Sequence, residues 1–290
     1  MTRSLIDLHT HSTASDGSCA PAAIVDAAES CSLAALALTD HDTTAGLAEA
    51  AARAELYPQL HFVPGIELSA IFQAGTLHIL GLGIDPHAKA LVKLTAQLRQ
   101  AREERNPKII AKLQALGLAI DMDDVLARLV GHGQAKGRIV SRVHIAEAMR
   151  RKGLVRSTNE AFEKYLAKDA KAFVDKEQLA PAEAFGAIRA GGGAVVLAHP
   201  VQLQTQNSAQ LERIVRQFQA LGLDGIECYH SDHTPQFTRD CLYLARKLNL
   251  LITGGSDYHG RGKPTVSLGW PRTPRSIIRK DYAKKWAIGK

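Results

Sequence analysis

Six short apolar segments of this chain each run into histidine or carboxylate residues. Leu5–His11 carries Asp7, His9 and His11. Ala34–Thr39 ends at Asp40 and His41, and His61–Leu68 carries Glu67 near its end. Farther on, Ala194–Ala198 meets His199, Gly225–Tyr229 meets His230, and Leu250–Gly254 precedes Asp257 and His259. Helical patterns lie between them: Pro21–Ser32, a segment capped by Thr43 or Thr44 and running to Glu55, Pro181–Ala190, Ala209–Leu221 and Gln236–Leu248. Repeated strand–helix units predict an α/β fold, either a parallel barrel or an open sheet. In such folds the site forms where strands end, which is where these side chains fall.

Alternation along an extended strand places Asp7, His9 and His11 on one face and Ile6, Leu8 and Thr10 on the other. Imidazoles and carboxylates converging in a buried place need a compensating partner, and a divalent metal ion is the simplest. A donor set of imidazole and carboxylate without thiolate suits Mn²⁺, Zn²⁺ or Fe²⁺ rather than Ca²⁺. Seven of the twelve histidines stand at or near strand ends. His61, His87, His132 and His233 read as ordinary hydrogen-bonded histidines.

The alternation stops between about His87 and Ala190, where the pattern is helical: Lys89–Arg105, a second helix started by Pro107, Asp123–Val130, Ile139–Lys152 and Thr158–Ala167 behind a Ser157 cap. This predicts a discontinuous barrel, residues 1–98 and 179–290, with a helical substrate-binding insertion over 99–178. Residues 1–98 hold 4 basic and 10 acidic side chains, whereas 99–177 hold 17 basic and 11 acidic ones. Acidic metal-binding residues joined to a basic segment suit a polyanionic substrate. No stretch of 18 or more apolar residues occurs, which excludes a helical membrane span. The N-terminus shows no signal pattern, and Cys19, Cys31, Cys228 and Cys241 have no CxxC spacing, so a cytoplasmic protein with reduced thiols is expected. No obligate protein partner is evident.

The segments DLHTH at 7–11, SDG at 15–17, LTDHD at 38–42, GIE at 65–67, His78, AHP at 198–200, YH at 229–230 and GSDYHG at 255–260 resemble the PHP (polymerase and histidinol phosphatase) family of metal-dependent phosphoesterases. The resemblance implies a distorted (β/α)7 barrel with two or three divalent ions at its mouth, Mn²⁺ being the first choice. It implies that His9, His11, Glu67 and Asp257 hold one ion, and that Asp16, His41 and His259 hold a second. Glu67, His78 and His199 would hold a third, with Glu67 bridging the first and third. Asp7 and Asp40 are expected to accept hydrogen bonds from ligand imidazoles, a direct ligand role being the rival for Asp40. Adjacent ions would generate a bridging hydroxide for in-line attack on a phosphate ester. His230 and Asp16 are the catalytic candidates, His230 as a proton donor to the leaving oxygen or a hydrogen-bond partner of the phosphate.

The insertion offers Arg102, Arg105 and Asn106 before Pro107, then Arg138, Ser141, Arg142 and His144 at another helix start, then Lys171. Guanidinium groups bind phosphate bidentately, and a helix N-terminus favours anions. The REERN and SRxHIA elements resemble the PHP branch acting on nucleoside 3′,5′-bisphosphates and short RNA 5′ ends, the RNase AM-type enzymes. That implies removal of the 3′-phosphate to leave a 5′-mononucleotide, or stepwise 5′→3′ hydrolysis of 5′-phosphorylated RNA or DNA. Asp16, His41, His230 and His259 would join the insertion residues in binding substrate. Histidinol-phosphate hydrolysis and nucleic-acid binding with structural metals are the other readings. The basic tail 272–290 either touches nucleic acid or packs as a terminal helix.

Overall fold

The computed structural model describes residues 3–127, 139–175, 179–278 and 280–286. Strands β2 (Ala35–Leu38) and β5 (Ala194–Leu197) are buried at every position. That is why they read as unbroken apolar runs, as strands covered on both faces do. With β1 (Leu5–Asp7), β3 (His61–Ala70), β4 (Leu77–Leu82), β6 (Gly225–His230), β7 (Leu251–Gly255) and β8 (Thr273–Pro274) they form one sheet ordered β7-β6-β5-β4-β3-β2-β1-β8. Helices α1 (Pro21–Ser30) and α2 (Leu47–Ala54) connect the first three strands.

The sheet curls into a nearly closed barrel. β8 pairs with β1 at Leu5 and Ile6. Beyond β8 the next residues of the first segment meet β7 directly. Leu8 donates to the Gly254 carbonyl at 3.1 Å, Asp257 N to the His9 carbonyl at 2.8 Å, and His11 N to the Tyr258 carbonyl at 2.9 Å. The first strand is therefore shorter than the sequence suggests, and residues 8–11 act as the closing seam. β4 runs antiparallel to both neighbours, β3 and β5, so the start of β4 lies at the same rim as the ends of the parallel strands. This distortion carries His78 to the rim although it stands near a strand beginning.

By packing, the chain divides into two units, 1–95 with 178–290, and 96–177. In the first, Ile6, Leu8, Val63, Leu80, Leu82, Val196 and Leu251 form a core that includes Ile278 and Trp286. Trp286 follows α10 (Lys280–Lys285) and is buried, so this part of the basic tail packs as a terminal helix. The remaining connections are α7 (Pro181–Ala190), α8 (Ser208–Leu221) and α9 (Pro235–Lys247), all behind the sheet strands they join.

Helix α3 (Lys89–Ala115), whose residues from Ala96 onward belong to the second unit, runs through Pro107 without a break, contrary to the expected helix start there. A proline inside a helix costs about 3 kcal/mol. Ile109, Ile110 and Leu113 just beyond it are buried in that unit's core, each worth roughly 1.5–3 kcal/mol, which outweighs the defect. No helix N-terminus therefore exists at Pro107 to bind an anion. α4 (Met122–Leu126), α5 (Arg142–Arg151) and α6 (Thr158–Ala161) complete the unit, α6 continuing into a π-turn over Phe162–Leu166. The Ser157 hydroxyl caps α6 by accepting from Glu160 N at 3.1 Å.

Closure of the barrel requires β7 to lie against the backbone of the first segment at Gly255. A methyl group built there would stand 2.3 Å from His9 Cβ and 2.5 Å from His9 N. Gly255→Ala should lower unfolding free energy by about 1–3 kcal/mol, read as a lower urea midpoint at unchanged slope. A loss below about 0.5 kcal/mol, the range of ordinary surface substitutions, would show that the seam is looser than described.

Candidate metal centre

The rim gathers side chains from every long strand or the turn that follows it. His9 and His11 come from the closing seam, Asp16 from the next turn, His41 from the turn after β2 and Glu67 from β3. His78 comes from β4, His199 from the turn after β5, His230 from the end of β6, and Asp257 and His259 from the turn after β7. Glu67 lies opposite Leu80 and His78 is two residues away on β4, so both project from one sheet face.

Glu67 is fully buried and central. Its Oε1 lies 2.9 Å from His78 Nδ1 and 2.9 Å from His199 Nε2. Its Oε2 lies 3.3 Å from His9 Nε2, 3.2 Å from His11 Nε2 and 2.9 Å from His41 Nδ1. Despite these nitrogens, Oε2 has no partner in hydrogen-bond geometry. A carboxylate whose two oxygens face two imidazole sets, one of them without hydrogen bonds, has the arrangement of a bridging ligand. His9 Nε2 and His11 Nε2 are themselves only 3.1 Å apart.

Asp257 Oδ1 stands 3.1 Å from His11 Nε2, 3.6 Å from His9 Nε2 and 3.4 Å from His259 Nδ1. Asp16 stands 3.3 Å from His259 Nε2, 3.8 Å from His41 Nε2 and 3.9 Å from His11 Nδ1. Three groups with donor atoms within 4.8 Å follow directly: His11, Asp16, His41 and His259; His9, His11 and Asp257; His9, Glu67 and His199. His41, Glu67 and His78 make a fourth, and His9, Glu227 and His230 a fifth. The donor chemistry fits divalent cations of the Mn²⁺, Zn²⁺ and Fe²⁺ kind, with hard carboxylates mixed with imidazoles and no thiolate.

The electrostatics agree. Burial would favour the protonated forms of Asp16, Glu67 and Asp257, yet the surrounding imidazoles hold all three well below the usual carboxylate range. Burial would likewise depress His41, but Glu67 and Asp16 raise it to about 9. His9 and His259 are raised against their burial by the same kind of carboxylate neighbours. Burial together with His41 and His199 pushes His78 down to about 4. Buried carboxylates that recruit protons onto neighbouring imidazoles are compensated equally by cations, with release of those protons.

Two backbone positions here are held in the left-handed region, His199 at φ 23° and Asp257 at φ 57°. Such conformations persist only where surrounding bonds enforce them. Asp257 N is held by the His9 carbonyl at 2.8 Å, and His199 N donates to Glu227 Oε2 at 2.7 Å.

Glu227 was not among the sequence candidates. It lies mid-strand on β6 and is fully buried. Its two oxygens sit 3.1 and 3.2 Å from His9 Nδ1. One carboxylate thus fixes both the ring of His9 and the strained backbone of His199. The available signal was a lone acid in an otherwise apolar strand segment. Asp7 and Asp40, by contrast, do not orient imidazoles. Asp7 accepts from Ser256 N at 2.8 Å and Gly269 N at 2.7 Å. Asp40 accepts from Ser12 N at 2.7 Å and from the hydroxyls of Ser12 and Ser15, both at 2.6 Å. Both carboxylates lie nearer to backbone amides and hydroxyls of the rim turns than to any ring, so they order those turns.

The insertion residues divide by environment. Arg102, Arg105, Asn106 and Ser141 are buried, whereas Lys171 is exposed. Arg105 Nη2 donates to Asn106 Oδ1 at 3.0 Å, and Asn106 Nδ2 to the Val140 carbonyl at 2.9 Å. Arg142 donates to the Leu166 carbonyl at 2.8 Å and lies over the rings of Phe162 and Phe173; burial and nearby Arg102 lower its pKa. His144 Nδ1 accepts from Ser141 N at 2.9 Å and so serves as part of the α5 cap. Arg138 lies outside the described residues.

Residues 7–221 match the PHP domain model. The chain is 36% identical over 264 residues to the 3′,5′-nucleoside bisphosphate phosphatase of Chromobacterium violaceum, covering 91% of this chain and 90% of that one. It is 32% identical over 268 residues to the 5′-3′ exoribonuclease Rnm of Escherichia coli, covering 91% and 88%. A structure from Bifidobacterium adolescentis assigned as a metal-dependent phosphoesterase superposes with a TM-score of 0.84 at 31% identity, covering 97% of this chain and 96% of that one. A distorted barrel with imidazoles and carboxylates around its rim, matched over three quarters of its length by that domain, places this chain in the PHP family of phosphoester hydrolases.

Proposed function

We propose that this protein hydrolyses the 3′-phosphate of nucleoside 3′,5′-bisphosphates to give 5′-mononucleotide and phosphate, with Mn²⁺ as its metal. The observation that carries the reading is the pair of imidazole sets on the two oxygens of Glu67, a centre built for adjacent cations. The bisphosphate phosphatase of C. violaceum, similar over nine tenths of both chains, supports the substrate class. The E. coli exoribonuclease supports a second reading on the same chemistry, stepwise hydrolysis from a 5′-phosphorylated RNA end.

In this reading His9, His11, Glu67 and Asp257 hold one ion; Asp16, His41 and His259 a second; and Glu67, His78 and His199 a third. When bound, such ions set positive charge against phosphate oxygens and make water acidic enough to attack at neutral pH. The protein's own residues do the rest. Glu227 keeps the His9 proton on Nδ1, leaving the Nε2 lone pair toward the centre. Asp232 N donates to His230 Nδ1 at 3.0 Å, so the neutral ring carries its proton on Nε2. Nε2 lies 3.4 Å from Asp257 Oδ2 and faces the cluster, where its proton can be passed to a leaving oxygen. Recognition of the second phosphate is assigned to Arg102, Arg105, Arg138, Arg142 and Lys171 of the insertion, with Asn106, Ser141 and His144 holding that segment in shape. Binding energy from a remote phosphate then supports the reaction at the other.

Three outcomes are expected. His9→Ala and Asp257→Ala should lose bound metal and activity together, checked by elemental analysis and phosphate release; full activity in Asp257→Ala would remove it from the ligand set. Glu227→Gln, which loses the negative charge and turns one of the two oxygens facing His9 Nδ1 into an N–H donor, should weaken manganese affinity by about 10–100-fold. An unchanged affinity would limit Glu227 to a packing role. Arg102→Ala and Arg105→Ala should each raise KM for a 3′,5′-bisphosphate by about tenfold or more, the worth of one charge-assisted hydrogen bond, while a 3′-monophosphate is turned over as before. The same preference should separate 5′-phosphorylated from 5′-hydroxyl oligonucleotides, and equal rates on both would discard the arginine assignment.

A further inference from the structure

One cation at the rim is unaccounted for. Lys263 Nζ pairs with Asp257 Oδ2, and among the described residues it is the only lysine or arginine ion-paired to Asp16, Glu67, Glu227 or Asp257. Its backbone position is fixed. Lys263 N donates to the Gly260 carbonyl at 3.1 Å, Arg261 N to Ser18 Oγ at 2.8 Å, and Ser18 N to the His259 carbonyl at 3.1 Å. Gly260 sits at φ 62°, where a methyl group would stand 2.2 Å from Ser18 Oγ. This loop is therefore pinned to the turn that carries Asp16.

Charge balance alone does not explain the lysine. Asp257 already faces His11, His259 and His230 within 3.4 Å. An ammonium has three donors, and Lys263 directs one to Asp257. The other two have no acceptor among the described residues, and the side chain keeps 33% of its surface exposed. A positive charge with spare donors, held at the opening of an otherwise acidic and imidazole-lined centre, is arranged to meet an anion that enters there.

We propose that Lys263 is a phosphate-binding residue, its spare N–H groups taking oxygens of the phosphoryl group presented to the rim. The inference rests on the phosphoesterase reading above and adds to it a recognition element for the reacting phosphate, separate from the insertion arginines that select the second one. A lysine suits this position because it acts as a compact point charge with rotatable donors.

The test is calorimetric titration of inorganic phosphate into manganese-loaded wild-type protein, Lys263→Gln and Lys263→Arg, with manganese content and far-ultraviolet circular dichroism measured on each. Lys263→Gln should keep its metal and fold while binding phosphate about tenfold more weakly, the loss expected for one charge-assisted hydrogen bond. Lys263→Arg should stay within about threefold of wild type, because it keeps the charge and the donors. Phosphate affinity unchanged in Lys263→Gln, or loss of manganese from it, overturns the proposal and leaves Lys263 as a counter-ion of Asp257. Failure of the wild-type protein to release phosphate from a 3′,5′-bisphosphate would overturn the substrate assignment alone, since weakened phosphate binding in Lys263→Gln would still support the role of the lysine.

Discussion

Everything at the rim depends on how the buried charge of Glu67 is compensated. A carboxylate with no exposure to water is costly unless cations or donors surround it. Here five imidazole nitrogens lie within 3.3 Å of its two oxygens. Those nitrogens arrive from four separate parts of the barrel: the closing seam, the turn after β2, the start of β4 and the turn after β5. The cluster therefore exists only when the sheet has curled, and the sheet's closing hydrogen bonds are made by the same residues 8–11 that carry His9 and His11. Fold and site are coupled through one short segment. Metal binding and barrel closure should accordingly reinforce one another, since ligation favours only the folded arrangement.

A layer of carboxylates behind the rim explains why so polar a region holds its shape. Asp7 ties the seam to the turns at Ser256 and Gly269, and Asp40 ties the 12–15 turn to β2. Glu227 holds a ring and a strained backbone amide at once. Each of these acids is satisfied by donors that no ion needs, which leaves the ligand set free to face inward. The division of labour is physical: Asp7 and Asp40 lie against backbone amides and order loops, Asp16, Glu67 and Asp257 face the imidazoles, and Glu227 touches one of each.

The second unit is held by a conventional apolar core, with Ile109, Leu113, Ile145 and Met149 at its centre. Arg99, Arg150, Arg151 and Arg156 lie exposed, whereas Arg102 and Arg105 are buried and Arg142 is engaged with a carbonyl and two aromatic rings. Such groups are pre-organised, so little side-chain entropy remains to be lost when an anion binds.

The sequence by itself determined the α/β class, with a barrel and an open sheet both allowed until the family resemblance chose the barrel, the strand-end position of the histidines and the imidazole–carboxylate chemistry. Those properties follow from local patterns: apolar runs of strand length, and the residue types just after them. Only the tertiary structure decided that the first strand is short and becomes a closing seam, that β4 runs backwards and brings His78 to the rim, and that α3 passes through Pro107. It alone decided that Glu227, rather than Asp7 or Asp40, stands behind His9, and that Lys263 reaches Asp257. His9 and Glu227 are 218 positions apart, so their contact has no local signature. Strand direction and helix continuity were settled by burial summed over many residues, which outweighs a single proline or a local strand preference.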